Sequence, residues 1–216
     1  MEIFLSIDGV IRNTIQKFDY HYKDLYLDSE YESENNFEYN VIEPIQNDNI
    51  LLSYKFQSVD EFEYFLYIEY PIEIFGHAGL SYSTTFTDLN KLIYENQEHN
   101  FTIIGLNELG KSKPATLFFL SKNGFLGNNI KFIKSKDIST EWEKCDVWIT
   151  DCKEIINLCP ENKSVIKFNT SYNQHFTHTK EISKLTEINE PWLKFSENST
   201  TSTSKQLQQN VEQGTQ

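Results

Sequence analysis

The chain has 216 residues, 38% of them apolar, and 16 Phe and 12 Tyr supply bulk that a single Met does not; that is enough for one packed domain with an insertion, and short of two domains with separate cores. Its 32 acidic against 19 basic side chains leave a formal charge of -13, which repels a phosphate backbone and an anionic bilayer and argues against nucleic acid or membrane as a partner. Cys145, Cys152 and Cys159 form an odd set without a C-x-x-C pair, so free, reduced thiols are expected rather than a zinc site or a disulfide framework.

The chain opens on a short apolar run, "EIFLSI", that meets Asp8-Gly9 too early for a signal peptide. No later apolar stretch approaches a membrane span, and a cytoplasmic protein is expected. The runs "IFLSI", "FTIIGL", "IKFI" and "VWIT", with "VIKF" as a fifth, have the length and the β-branched or aromatic content of buried strands. Between the first and second sits an insertion of roughly eighty residues, far more than a strand-to-helix loop, so it must carry structure of its own. Tyr20 to Asn49 is acidic and tyrosine-rich and is read as an irregular or partly stranded excursion. Ser58-Val59-Asp60-Glu61 matches a capping box, with Phe62, Phe65, Leu66 and Glu69 following at helical spacing, and "TDLNKLIYENQE" from Thr87 predicts another helix. A helical cap over the carboxyl edge of the sheet is expected.

Beyond the second run, "SKPATLFFLSKNG" places Pro114 in a first helical turn and Gly124 at a carboxyl cap. "TDCKEIINLCPEN" repeats the pattern, with Asp151 as N-cap and Pro160 as stop. Strands alternating with helices predict an α/β fold with a doubly wound parallel sheet. The division is a core at 1–19 and 97–195, a cap at 20–96 and a tail at 196–216. The tail is Ser/Thr/Gln-rich and by itself cannot repay the entropy of ordering; with a partner, Leu207 and Val211, four apart, would be its hydrophobic contacts. Asn198 heads an N-x-S/T triplet without meaning outside a secretory route. His77, His175 and His178 are read as loop residues.

The first strand runs into "SIDGVIRNT", which resembles the opening motif of the haloacid dehalogenase (HAD) superfamily, an apolar strand leading to Asp-x-Asp-Gly. In that family the first Asp is the nucleophile and the second the general acid/base. Here Ser6 stands at the first position, and Asp8 and Gly9 at the second Asp and the glycine. The family's phosphate-holding Ser or Thr corresponds to Gly105, its Lys to Lys134 or Lys136 in "IKFIKSK", and its paired acids to Thr150 and Asp151 in "CDVWITDCKEI". "KSVIKFNTSYN" is similar to the deoxyribonucleotidase-like branch, so the resemblance runs from Ile3 to about Tyr172. It implies a HAD-like sheet with degenerate motifs. Ser6 removes the attacking carboxylate and a Mg²⁺ ligand, Thr150 another ligand and Gly105 a phosphate donor.

No catalytic residue is therefore expected, and no cofactor. The "KPATLFFLSK" helix and the Asn/Lys/Ile-rich composition resemble gene products of tailed bacteriophages. The implied function is a binding or structural component, in a virion near portal, neck or tail, with other protein chains as partners. The alternative is a Mg²⁺-dependent nucleotide or small-phosphate phosphatase, and a third reading is a nucleotide-binding module without turnover.

Overall fold

The computed structural model describes residues 1–29, 37–46 and 49–188. The first apolar run forms β1 (Glu2–Ser6). Gly9, at φ +73°, then turns the chain into the two-residue strand β2 (Arg12–Asn13), which opens directly into α1 (Thr14–Tyr26). The Asn13 side chain accepts the Gln16 N–H and so starts that helix. After a 3₁₀ turn at Ile50–Leu52 comes α2 (Val59–Tyr64), capped by the Ser58 hydroxyl on the Glu61 N–H. Wide π turns follow at Phe65–Glu69 and Ile72–Gly76, and the insertion closes at β3 (Gly79–Leu80), which pairs antiparallel with β2.

Aromatic bulk gives this insertion a core of its own. Phe18 meets Tyr54 at 4.8 Å and Phe65 at 5.4 Å between ring centres, both edge to face, the arrangement that ring quadrupoles favour. Tyr22, Tyr39, Leu66, Ile74 and Phe75 pack in the same cluster.

The remaining elements alternate: α3 (Thr85–Glu95), β4 (Asn100–Leu106), α4 (Ser112–Lys122), β5 (Ile130–Ile133), α5 (Ile138–Lys144), β6 (Val147–Thr150), α6 (Lys153–Asn157), β7 (Ser164–Phe168) and β8 (Glu181–Ile182). The sheet runs β5-β4-β1-β6-β7-β8, with every pairing parallel. Pleating sends alternate residues to opposite faces. Ile3, Leu5, Ile103, Val147 and Ile149 pack with Phe86 and Leu89 of α3 and Phe119 of α4. Phe4, Ile104, Trp148 and Val165 pack with Ile138 and Trp142 of α5 and Ile155 of α6. Both faces are covered, so the expected α/β doubly wound parallel sheet is the fold.

Several local expectations need correction. Tyr20 to Tyr26 is the second half of α1, not an irregular excursion, and Phe18, Tyr22 and Tyr26 line it at four-residue spacing. The boundary at residue 20 thus falls inside a helix whose buried face belongs to the cap cluster. At the other end α3, from Thr85 and not Thr87, packs on the sheet, so by packing it is a core helix. Glu61 accepts from the Gln57 N–H instead of closing the capping box on Ser58. Asp151 does not cap α6: Cys152 holds the N-cap position. Gly124, at φ +72°, does end α4, where its N–H reaches the Ser121 carbonyl and that of Phe125 reaches Leu120. Leu207, Val211 and Asn198 lie outside the described residues.

Candidate functional site

In a sheet of this order β1 is where the winding reverses, and crevices that take ligands form outside the carboxyl ends of strands at such a point. A cavity of about 780 Å³ lies there, walled below by Ser6, Asp8, Ile104 and Asp151 and above by Leu51, Phe62 and Tyr67 of the insertion.

Ser6 and Thr150 end neighbouring strands on the same face of the pleat. The Ser6 hydroxyl donates to Thr150 Oγ1 at 2.8 Å and accepts the Trp148 indole N–H at 3.2 Å. Thr150 Oγ1 also accepts the Cys152 N–H at 3.1 Å. With Ser6 5% exposed and Thr150 wholly buried, the hydroxyls are committed to each other, and among the described residues no histidine lines the cavity to activate either.

Asp8 sits beyond the strand end in the turn, and its partner is Arg12, four residues on. Arg12 is fully buried. Its Nε and Nη2 donate to Asp8 Oδ1 at 2.9 and 2.8 Å, Nη2 also to Glu108 Oε1 at 3.0 Å, and Nη1 to Thr116 Oγ1 and the Phe75 carbonyl. Thr14 donates to the same Asp8 oxygen, and the guanidinium lies over the Phe75 and Phe119 rings. Burial works against the Arg12 charge, but Asp8 and Glu108 more than offset it and hold its pKa above the ordinary value. Glu108 has the opposite balance: burial pushes its carboxyl up, Arg12 pulls it down, and Asp8 across the shared guanidinium adds to the rise.

Asp151 packs against Gly9, where an added Cβ would strike its carboxylate. The Tyr172 hydroxyl donates to Asp151 Oδ2; burial, and then the Asp151 charge, hold that phenol well above its usual range, so it remains a donor. Gly105 and the lysines are elsewhere. β4 ends at Leu106, one residue past Gly105, and its alternation turns Ile104 and Leu106 to the cavity and Gly105 away, where a Cβ would stand 2.6 Å from Phe132. Lys134 and Lys136 line a separate cleft of about 270 Å³ with Lys113, Glu108 and Asp137. The sheet thus brings Ser6, Asp8, Thr150 and Asp151 together and leaves Gly105, Lys134 and Lys136 out.

No family model matches the chain, and no curated protein matches it.

The Mg²⁺ that the sequence resemblance associates with such a site can be tested against these donors. Magnesium takes oxygen ligands in a near-octahedral set anchored by carboxylates. Here the strand ends offer two mutually bonded hydroxyls, Asp8 Oδ1 is taken by Arg12 and Thr14, and Asp151 is held by Tyr172. The buried guanidinium occupies Asp8 Oδ1 and is shared with Glu108, so Asp8 offers one oxygen where the ion needs several. The residues do not fit the ion. Among the described residues no helix is long and apolar enough to cross a membrane. Burial pushes the Cys145 thiol up to about 12, far from a reactive thiolate.

Sequence reasoning missed Arg12, Glu108, Thr116 and Tyr172. The Asp8–Arg12 spacing of four was a signal, because a lone Arg inside "GVIRNT" has to find a partner once its neighbours are buried. Glu108 and Thr116 gave none, since only the fold brings them to Arg12.

Proposed function

We propose that the chain is a HAD-like protein of the deoxyribonucleotidase-like branch that has lost phosphoryl-transfer chemistry and works by binding, as a component of a larger protein assembly. The observation that carries this reading is the Ser6–Thr150 hydroxyl pair at the ends of the two central strands. Phosphoryl transfer at that position needs a charged nucleophile and a metal ligand, and a hydroxyl pair offers neither. The engagement of Asp8 Oδ1 by Arg12 supports it further. The phage-like composition favours a virion protein near portal, neck or tail, made in the cytoplasm of the producing cell. Its partners are then other protein chains, met through the tail that carries Leu207 and Val211.

The test is turnover of p-nitrophenyl phosphate and deoxynucleoside monophosphates by the full chain, with and without Mg²⁺. None above buffer is expected. Metal-dependent turnover that disappears in Asp8→Ala would overturn the reading in favour of a phosphatase. For the assembly role, deleting residues 197–216 should leave thermal stability unchanged and weaken incorporation into particles. Undiminished incorporation moves the contact to the acidic insertion.

A further inference from the structure

The walls of the main cavity differ from those of a phosphate site. All five guanidinium N–H groups of Arg12 are used by Asp8, Thr14, Thr116, Glu108 and the Phe75 carbonyl, so none remains for an anion. Among the described residues the charged side chains on the wall are Asp8, Asp151 and Glu154 against Lys153, and the -13 of the whole chain adds a field of the same sign. Lys134 and Lys136 face the other cleft.

Asp8 has a carboxylate oxygen to offer. Its side chain is 35% exposed, and its hydrogen bonds all converge on Oδ1, leaving Oδ2 open at the wall. Tyr67 lines the same cavity; burial, and then the charges of Asp8 and Glu108, raise its phenol above the ordinary range, so it stays a neutral donor. Leu51, Phe62 and Leu66 make the apolar wall, and about 780 Å³ is the size of a site for a small organic molecule.

We infer that this cavity binds a small organic cation, an amine on an aromatic or aliphatic body, whose ammonium group donates to Asp8 Oδ2 while its body packs against Leu51, Phe62, Leu66 and the Tyr67 ring. The inference rests on the non-catalytic reading of the site and names its ligand class.

Three probes with one phenol body separate the charge states: tyramine as the cation, tyrosol as the neutral alcohol and 4-hydroxyphenylacetate as the anion. Titration calorimetry on the full chain near neutral pH and at low salt should find tyramine at least about tenfold tighter than tyrosol, and the anion without measurable affinity. Asp8→Asn should remove the advantage of tyramine over tyrosol. Because Asp8 also anchors Arg12, a second variant is needed. Leu51→Trp fills the cavity from a partly exposed position, away from the ion network, and should abolish tyramine binding in a protein that still melts cooperatively. No binding of tyramine at millimolar concentration, equal affinity for tyramine and tyrosol, tightest binding of the anion, or unchanged tyramine affinity in folded Leu51→Trp overturns the inference. Hydrolysis of p-nitrophenyl phosphate by the same preparation would overturn the non-catalytic reading instead, so the two failures are distinguishable.

Discussion

Arg12 carries two carboxylates on one buried guanidinium, and that arrangement fixes what its removal does. Arg12→Met leaves Asp8 and Glu108 without their cation and should destabilise the protein by about 3 to 5 kcal/mol in urea denaturation. Adding Asp8→Asn and Glu108→Gln to that variant removes the stranded charges and should recover most of the loss; a triple variant as unstable as the single one would show that the packing of Arg12 on Phe75 and Phe119 dominates. Glu108 also sets a pH dependence. Its carboxyl titrates near 4.5 in the unfolded chain and near about 7 in the folded one. Between those values the folded state holds more protons than the unfolded state, so this group's stabilising contribution falls as pH rises through the window and is constant above it. Denaturation of wild type and Glu108→Gln across that range should show wild type losing ground to the variant by up to about 3 kcal/mol, whereas a pH-independent difference would refute the raised carboxyl.

Two turns with almost the same backbone angle separate conformational cost from packing cost. Gly124, after α4, and Gly9, between β1 and β2, sit at φ +72° and +73°. A Cβ at Gly124 meets nothing within 4 Å, but one at Gly9 meets the Asp151 carboxylate. Gly124→Ala should therefore cost only the left-handed penalty of about 1 to 2 kcal/mol. Gly9→Ala should cost at least about 2 kcal/mol more, because it must also displace the carboxylate that Tyr172 holds. Thermal denaturation of the pair checks this, and equal losses would mean that Asp151 yields freely. At the same scale, "IFLSI", "FTIIGL", "IKFI", "VWIT" and "VIKF" were legible as strands because a parallel sheet covered on both faces is built from short, largely apolar runs. α1 was not, since its stripe of Phe18, Tyr22 and Tyr26 lies among Asp, His and Lys in a tyrosine-rich stretch that local propensity leaves undecided. α5, seven residues with Ile138 and Trp142 four apart, was too short to show a period.

The molecule holds separate hydrophobic clusters, with Phe18, Tyr22, Tyr54 and Phe65 in the insertion apart from those on the two faces of the sheet. Phe18→Ala removes a fully buried ring and should cost about 3 to 5 kcal/mol of local stability. Native-state hydrogen exchange should show residues 14–26 and 59–76 losing protection in this variant while β1, β4 and β6 keep theirs. Equal loss in the sheet would mean that cap and core open as one unit. The cavity between them then opens with the cap, so Phe18→Ala should also weaken any ligand held there.

The amino-acid sequence by itself determined the alternation of strand and helix, the covered parallel sheet and the meeting of Ser6, Asp8, Thr150 and Asp151, because strand ends fix where such residues go once the winding is known. Only the tertiary structure decided their state. Whether a carboxylate attacks, binds a metal or lies neutralised depends on partners distant in the chain: Glu108 and Thr116 for Arg12, Tyr172 for Asp151, Trp148 for Ser6. The same holds for Gly105 and the two lysines, which the resemblance alone put at a phosphate site. Strand alternation turned Gly105 away from the cavity, and the bend after β5 carried Lys134 and Lys136 into a different cleft; a sequence pattern records which residues follow one another, while side-chain direction is fixed by pleat and packing.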